Sequence, residues 1–122
     1  MGRILLFAAA ALLLATAIIH AGGQPMVDSW VEGLGDRQRA AIRLVWITDS
    51  IGWAVVAILW AMAGWKMERG WLGAAAVAAA IPFAMAVGIM TIDPSFFGGW
   101  MLLGSIALAA AGLMLIRRRA AS

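Results

Sequence analysis

The chain has 122 residues, of which 65% are hydrophobic and only 12% charged, and its mean hydropathy is +0.96. Soluble domains carry roughly twice that share of charge, so the apolar excess points to lipid, and no stretch is left over for a soluble domain. The formal charge of +3 does not call for nucleic acid, because three of the nine basic residues form the tail "RRR" beside an apolar run, and the absence of cysteine excludes disulfides, thiolate metal sites and cysteine nucleophiles.

Four apolar runs cover residues 4–21, 44–65, 71–92 and 96–116. Each approaches or exceeds the ~20 residues needed to cross ~30 Å of hydrocarbon. Lipid forces backbone amides to bond within their own segment, so the runs are helices. The expected fold is an all-α integral membrane bundle of four transmembrane helices, up-down-up-down, with a short outer amphipathic helix. It forms one domain over residues 1–122. The transmembrane helices are expected at about residues 3–21, 38–65, 70–91 and 95–117, and the outer helix at about 26–34.

The first run follows "MGR", and "ATA" at 15–17 resembles a cleavage motif, so the segment also has the form of a signal peptide. It is taken here as a retained first transmembrane helix. His20, the only histidine, stands at its end beside "AGG". It either caps the helix C-terminus, where a cation is favoured, or serves as a reacting group.

The connection "GGQPMVDSWVEGLGD" is long for a turn. Val27, Trp30, Val31 and Leu34 recur at helical spacing, which predicts an amphipathic helix lying in the interface, with Trp30 as an anchor. Gly22, Gly23 and Pro25 are expected to break the chain before it, and Gly35 to end it. It covers the outer end of the bundle or acts as a lid over a cavity.

The second helix raises the sharpest question. Arg39, Arg43, Trp46, Asp49, Ser50, Trp53, Val56 and Trp60 follow steps of three and four. So bulky and polar a stripe should face other helices rather than lipid. If the helix enters the membrane near Ala40, Asp49 is nine residues in, ~14 Å deep. A carboxyl there costs ~2.5 kcal/mol or more, so Asp49 is expected to be buried in the bundle with a polar partner. It is either a neutral, hydrogen-bonded structural acid or a group that handles protons or a cation. Arg43 is expected to snorkel toward the interface. Candidate catalytic residues are Asp49 and His20, and candidate substrate-binding residues are Trp46, Ser50, Trp53 and Arg43. No metal ligand is expected.

"KMERG" makes a tight turn into the third helix, bracketed by Trp65 and Trp71. Pro82 should kink that helix and free a carbonyl. In "TIDPSFFGG", Asp93 followed by Pro94 reads as the N-cap of the fourth helix. Phe96, Phe97 and Trp100 read as interfacial anchors. The third and fourth helices are rich in small residues four apart, a pattern that lets helix backbones approach closely within the bundle, in a homo-oligomer or against a partner in a membrane complex.

Arg3, Lys66, Arg69 and Arg117 to Arg119 fall on one side of the membrane, and Arg37, Arg39 and Arg43 on the other. Six against three places both termini in the cytoplasm of a bacterial-type inner membrane. No phosphate loop, zinc motif or serine elbow occurs, and no cofactor is expected, although a single axial histidine leaves haem open. The readings that remain are a carrier or membrane-embedded enzyme with a site for a lipophilic small molecule or a proton in the outer half, a non-catalytic accessory subunit, and a binder of haem or quinone.

Overall fold

A computed structural model describes the backbone of residues 1–121 and the side chains of residues 1–118. The elements are α1 (Gly2–Gly22), α2 (Gln24–Trp30), α3 (Asp36–Lys66), α4 (Arg69–Ala78), α5 (Ala80–Ile92) and α6 (Phe97–Ala121), with no strand among the described residues. Four stretches are long and apolar enough to cross a membrane: Gly2–Gly22, Asp36–Lys66, Arg69–Ile92 and Phe97–Arg118.

α1 is the central element and packs along both α3 and α6, while α4 lies on α3 and α5 on α6. Its buried face follows the helical repeat through Gly2, Leu6, Ala9, Ala10, Leu13, Thr16 and Ala17. α3 buries Ser50, Trp53, Val56, Ala57, Trp60, Ala63 and Gly64. The tryptophans of this stripe do face inward, since Trp53 and Trp60 are 2% and 0% exposed. Trp60 Nε1–H donates to the Ala75 carbonyl at 3.0 Å and so pins α4 to α3.

Glycine sets the closest helix contact. A Cβ at Gly112 would meet the Gly2 carbonyl oxygen at 2.9 Å and the Leu6 nitrogen at 3.2 Å, and one at Gly2 would meet the Gly112 oxygen at 2.8 Å. The small-residue face of the fourth span is therefore used against α1. Buried hydroxyls are satisfied within their own helices: Thr16 donates to Leu12 O at 2.8 Å, Ser105 to Met101 O at 2.9 Å and Ser50 to Trp46 O at 3.3 Å.

Several local expectations need correction. The third span is two helices, α4 and α5, parted at Ala79. Pro82 has no N–H to return to the Ala78 carbonyl, so the ladder breaks one turn before it. α1 continues to Gly22 and only Gly23 separates it from α2. Pro25 lies inside the first turn of α2, where a missing N–H costs nothing. α2 stops at Trp30, short of 34, although Val27 and Val31 are buried as their spacing predicts and Trp30 is exposed. Asp93 does not cap the fourth helix, which begins at Phe97. Its Oδ1 instead accepts from the Ser95 N–H at 2.9 Å and from the Ser95 hydroxyl at 2.6 Å. This is an Asx-type turn, which a side chain of this length closes locally. Those two bonds hold the Asp93 carboxyl below its ordinary value.

A candidate cavity between His20 and two tryptophans

The last turn of α1 meets the first half of α3 through aromatic rings. Trp46 Nε1–H donates to the His20 carbonyl at 2.7 Å, an oxygen that also accepts from the Gly23 N–H at 3.0 Å. The indole is thus a second donor to a carbonyl at the helix end, and it ties α3 to the last turn of α1. The His20 ring lies flat on Trp46, with centroids 3.7 Å apart and planes 17° apart. It also tilts against Trp53 at 4.6 Å. Trp30 of α2 meets Trp46 edge-on at 6.2 Å. Gly23 permits this packing, because a Cβ there would be 3.0 Å from the Trp46 ring.

Beside these rings is a cavity of about 250 Å³. α1 contributes Thr16, Ile19 and His20, α2 contributes Met26, and α3 contributes Trp46 and Trp53. Ile89 of α5, Phe96 of the following turn, and Phe97 and Met101 of α6 complete the wall. Ile19, Met26 and Phe97 are also exposed, so they mark its mouth. The lining is almost wholly apolar, and the Thr16 hydroxyl is already engaged. Two polar atoms of lining residues are buried without a hydrogen-bond partner among the described residues: His20 Nε2 and Trp53 Nε1. Buried polar groups are rarely left so. Gln24 Oε1 is a third such atom, but Gln24 is not part of the wall.

Asp49 is placed differently from the expectation. It is half-exposed and not buried, and it makes no hydrogen bond or ion pair among the described residues. It lies with Ala41, Ile42 and Val45 along a shallow groove, and Trp46 borders both that groove and the cavity. The reason is angular. The inward stripe runs through Ser50, Trp53, Ala57 and Trp60, and one residue, about 100°, separates Ser50 from Asp49. Asp49 therefore shares the exposed face of Ile42 and Val45.

The other sequence candidates divide. His20, Trp46 and Trp53 come together in the cavity wall. Ser50 is buried, but its hydroxyl bonds back to its own helix. Arg43 is half-exposed and its Nε donates to Asp28 Oδ1 at 2.7 Å, tying α2 to α3 outside the cavity. Hydrogen bonds from Gln24, first, and then from Arg43 hold the Asp28 carboxyl below its ordinary value. Sequence reasoning missed Met26, Ile89, Phe96, Phe97 and Met101 as wall residues. A signal existed in "SFFGG": a Cβ at Gly98 would stand 2.7 Å from the Phe96 ring, so glycine there makes room for the phenylalanine.

No family model, curated protein or solved structure matches the chain.

Proposed function

We propose that this chain is a multi-pass protein of a bacterial-type inner membrane that binds a neutral lipophilic small molecule in the outer half of its helix bundle, as a carrier or a membrane-embedded enzyme. The observation that carries the reading is an almost wholly apolar cavity whose wall gathers His20, Trp46 and Trp53 from two helices. Ligand sites have this composition, a mostly apolar lining with a few polar groups that fix orientation. The volume of about 250 Å³ is below the range of ~300–1,000 Å³ common for drug-sized ligands, and suits a headgroup of one or two rings rather than a macrocycle.

An up-down-up-down arrangement is supported by contacts along the α1–α6 and α1–α3 pairs and by one between α3 and α4. Gly2 approaches Gly112 while Leu12 approaches Gly104, Leu6 approaches Gly64 while His20 meets Trp46, and Trp60 meets Ala75. The split of basic residues favours the His20 end outside and both termini in the cytoplasm. α3 has 31 residues, about 46 Å, against ~30 Å of hydrocarbon. With Lys66 at the inner boundary, Asp36 to Arg43 extend beyond the outer one. Asp49 is then about 5 Å below that boundary, not near mid-membrane. A half-exposed carboxyl is tolerable at that depth.

Photolabelling with benzophenone tests the site. In protein reconstituted into lipid, cross-links should concentrate on Met26 and Met101, both in the cavity wall, over Met114, which is more exposed but distant from it. Labelling that simply follows exposure, with Met114 ahead, would overturn the reading.

A further inference from the structure

A second concavity lies toward the opposite end of the bundle, among residues that the first cavity does not use. α4 lies on α3 and α5 on α6, so the third span parts at Ala79 and α4 stands off from α6. The gap is a groove of about 250 Å³. Ala76 and Ala79 line one side, and Ala110, Leu113 and Met114 of α6 the other. Arg117 is the one charged side chain that borders it among the described residues. We propose that this groove holds an acyl chain of an anionic phospholipid whose phosphate is bound by Arg117.

Length, position and charge each favour that occupant. From Ile106 to Arg117 the groove follows α6 for about 16 Å. This is close to half of the ~30 Å of hydrocarbon, the depth of one leaflet. Arg117 is one residue from the end of the span Phe97–Arg118, at the level where a phosphate stands above an inserted chain. Its side chain is exposed and makes no ion pair among the described residues. A guanidinium offers a phosphate two parallel N–H groups, which a hydrocarbon chain alone would leave unused. The close approaches of Gly2 to Ile116 and of Gly64 to Leu6 and Arg3 gather Arg3, Lys66, Arg69, Arg117 and Arg118 at this end, where Glu68 is the only acidic side chain among the described residues. Such an excess attracts anionic lipid. A second copy of the chain on this face would instead set like charges against each other.

The test uses the full chain in nanodiscs of dioleoylphosphatidylcholine, labelled with ¹³C at methionine methyls. Dioleoylphosphatidylglycerol keeps the phosphate and both chains but carries a net negative charge. It replaces the host lipid stepwise, and oleate is titrated separately. The Met114 methyl, assigned through Met114→Leu, reports the groove, and the Met101 methyl, in the wall of the other cavity, is the reference. Met114 should shift saturably with phosphatidylglycerol while Met101 stays still. Arg117→Gln should weaken that response by at least about twentyfold, through loss of both the diffuse attraction and the paired hydrogen bonds. Arg118→Gln removes the same charge outside the groove wall and should cost about fivefold or less. Ala110→Phe fills the groove from its exposed side. It should weaken the response without lowering the thermal midpoint. No Met114 shift, or equal losses in Arg117→Gln and Arg118→Gln, would overturn the site and leave only diffuse attraction. A shift shared by Met101 would mark a change of medium and overturn it as well. An equal response to oleate would refute the phosphate contact. A shift that follows the number of chains per disc rather than the lipid composition would give the face to a second copy and refute the lipid.

Discussion

Trp53 and Trp60 are seven residues apart on one face of α3 and are both essentially inaccessible, yet the same substitution should affect them unequally. Trp→Phe removes the same atoms at both positions, so the transfer and cavity contributions largely cancel in the comparison. The indole N–H groups differ. Trp60 donates to Ala75 O at 3.0 Å, and losing that bond costs about 1 kcal/mol. Ala75 O is not orphaned, since it keeps the Ala79 N–H at 3.3 Å. Trp53 Nε1–H has no partner among the described residues, and removing an unsatisfied buried donor recovers about 1–3 kcal/mol. Trp60→Phe should therefore be more destabilising than Trp53→Phe by about 2–4 kcal/mol. Both variants are unfolded with denaturant in detergent and followed by circular dichroism, after delipidation to remove bound lipophiles. Equal losses, or a larger loss at Trp53, would refute the claim that the Trp53 N–H is held in reserve.

Gly112→Ala places a methyl 2.9 Å from the Gly2 oxygen and 3.2 Å from the Leu6 nitrogen. Backbone atoms cannot rotate away, so the variant should lose about 1–3 kcal/mol in the same unfolding assay, and a wild-type midpoint would show that α1 and α6 separate more easily than their contact implies. Asp49→Asn should leave the photolabelling of Met26 and Met101 unchanged, because Asp49 lies outside the cavity wall; loss of that labelling in a folded variant would restore Asp49 to the site. For Asp28 the folded carboxyl titrates below its unfolded value near 3.9. Its contribution to holding α2 is therefore fully present above about pH 5 and is lost as pH falls through the folded value below about 3.9. Hydrogen exchange of the α2 amides should accelerate, beyond the intrinsic pH effect, between pH 5 and pH 3 in wild type but not in Asp28→Asn. A cysteine at Ser29 should react with an impermeant thiol reagent in intact cells and one at Gly70 should not; the reverse would invert the orientation.

The helices were legible because lipid-length apolar runs allow few alternatives. Four spans, the inward tryptophan stripe and the burial of Val27 and Val31 all follow from periodicity. Where the reading failed, one residue of angular error or one turn of chain mattered. Asp49 and Ser50 are neighbours in sequence, and the stripe was wide enough to admit both. Only packing against α1 decides that Ser50 points in and Asp49 out. Asp93 followed by Pro94 is an ordinary helix-start signal, but Ser95 offers the carboxylate two closer donors and the turn takes it.

The cavity is a harder case still, because it belongs to no single segment. Its walls come from α1, α2, α3, α5, α6 and the turn before α6, and each contribution reads locally as something else. Phe96 and Phe97 read as interfacial anchors, Met26 as part of a connecting helix and His20 as a helix cap. Periodicity can say that Trp53 is buried. It cannot say whether the indole N–H finds a carbonyl, as Trp60 does at Ala75, or is left without one at the edge of a cavity. Ala75 O serves Trp60 while still accepting from the Ala79 N–H of its own helix, and no such carbonyl stands opposite Trp53 among the described residues. The two tryptophans share a helix, a face and a degree of burial, and they differ in what the neighbouring chain presents to their N–H groups.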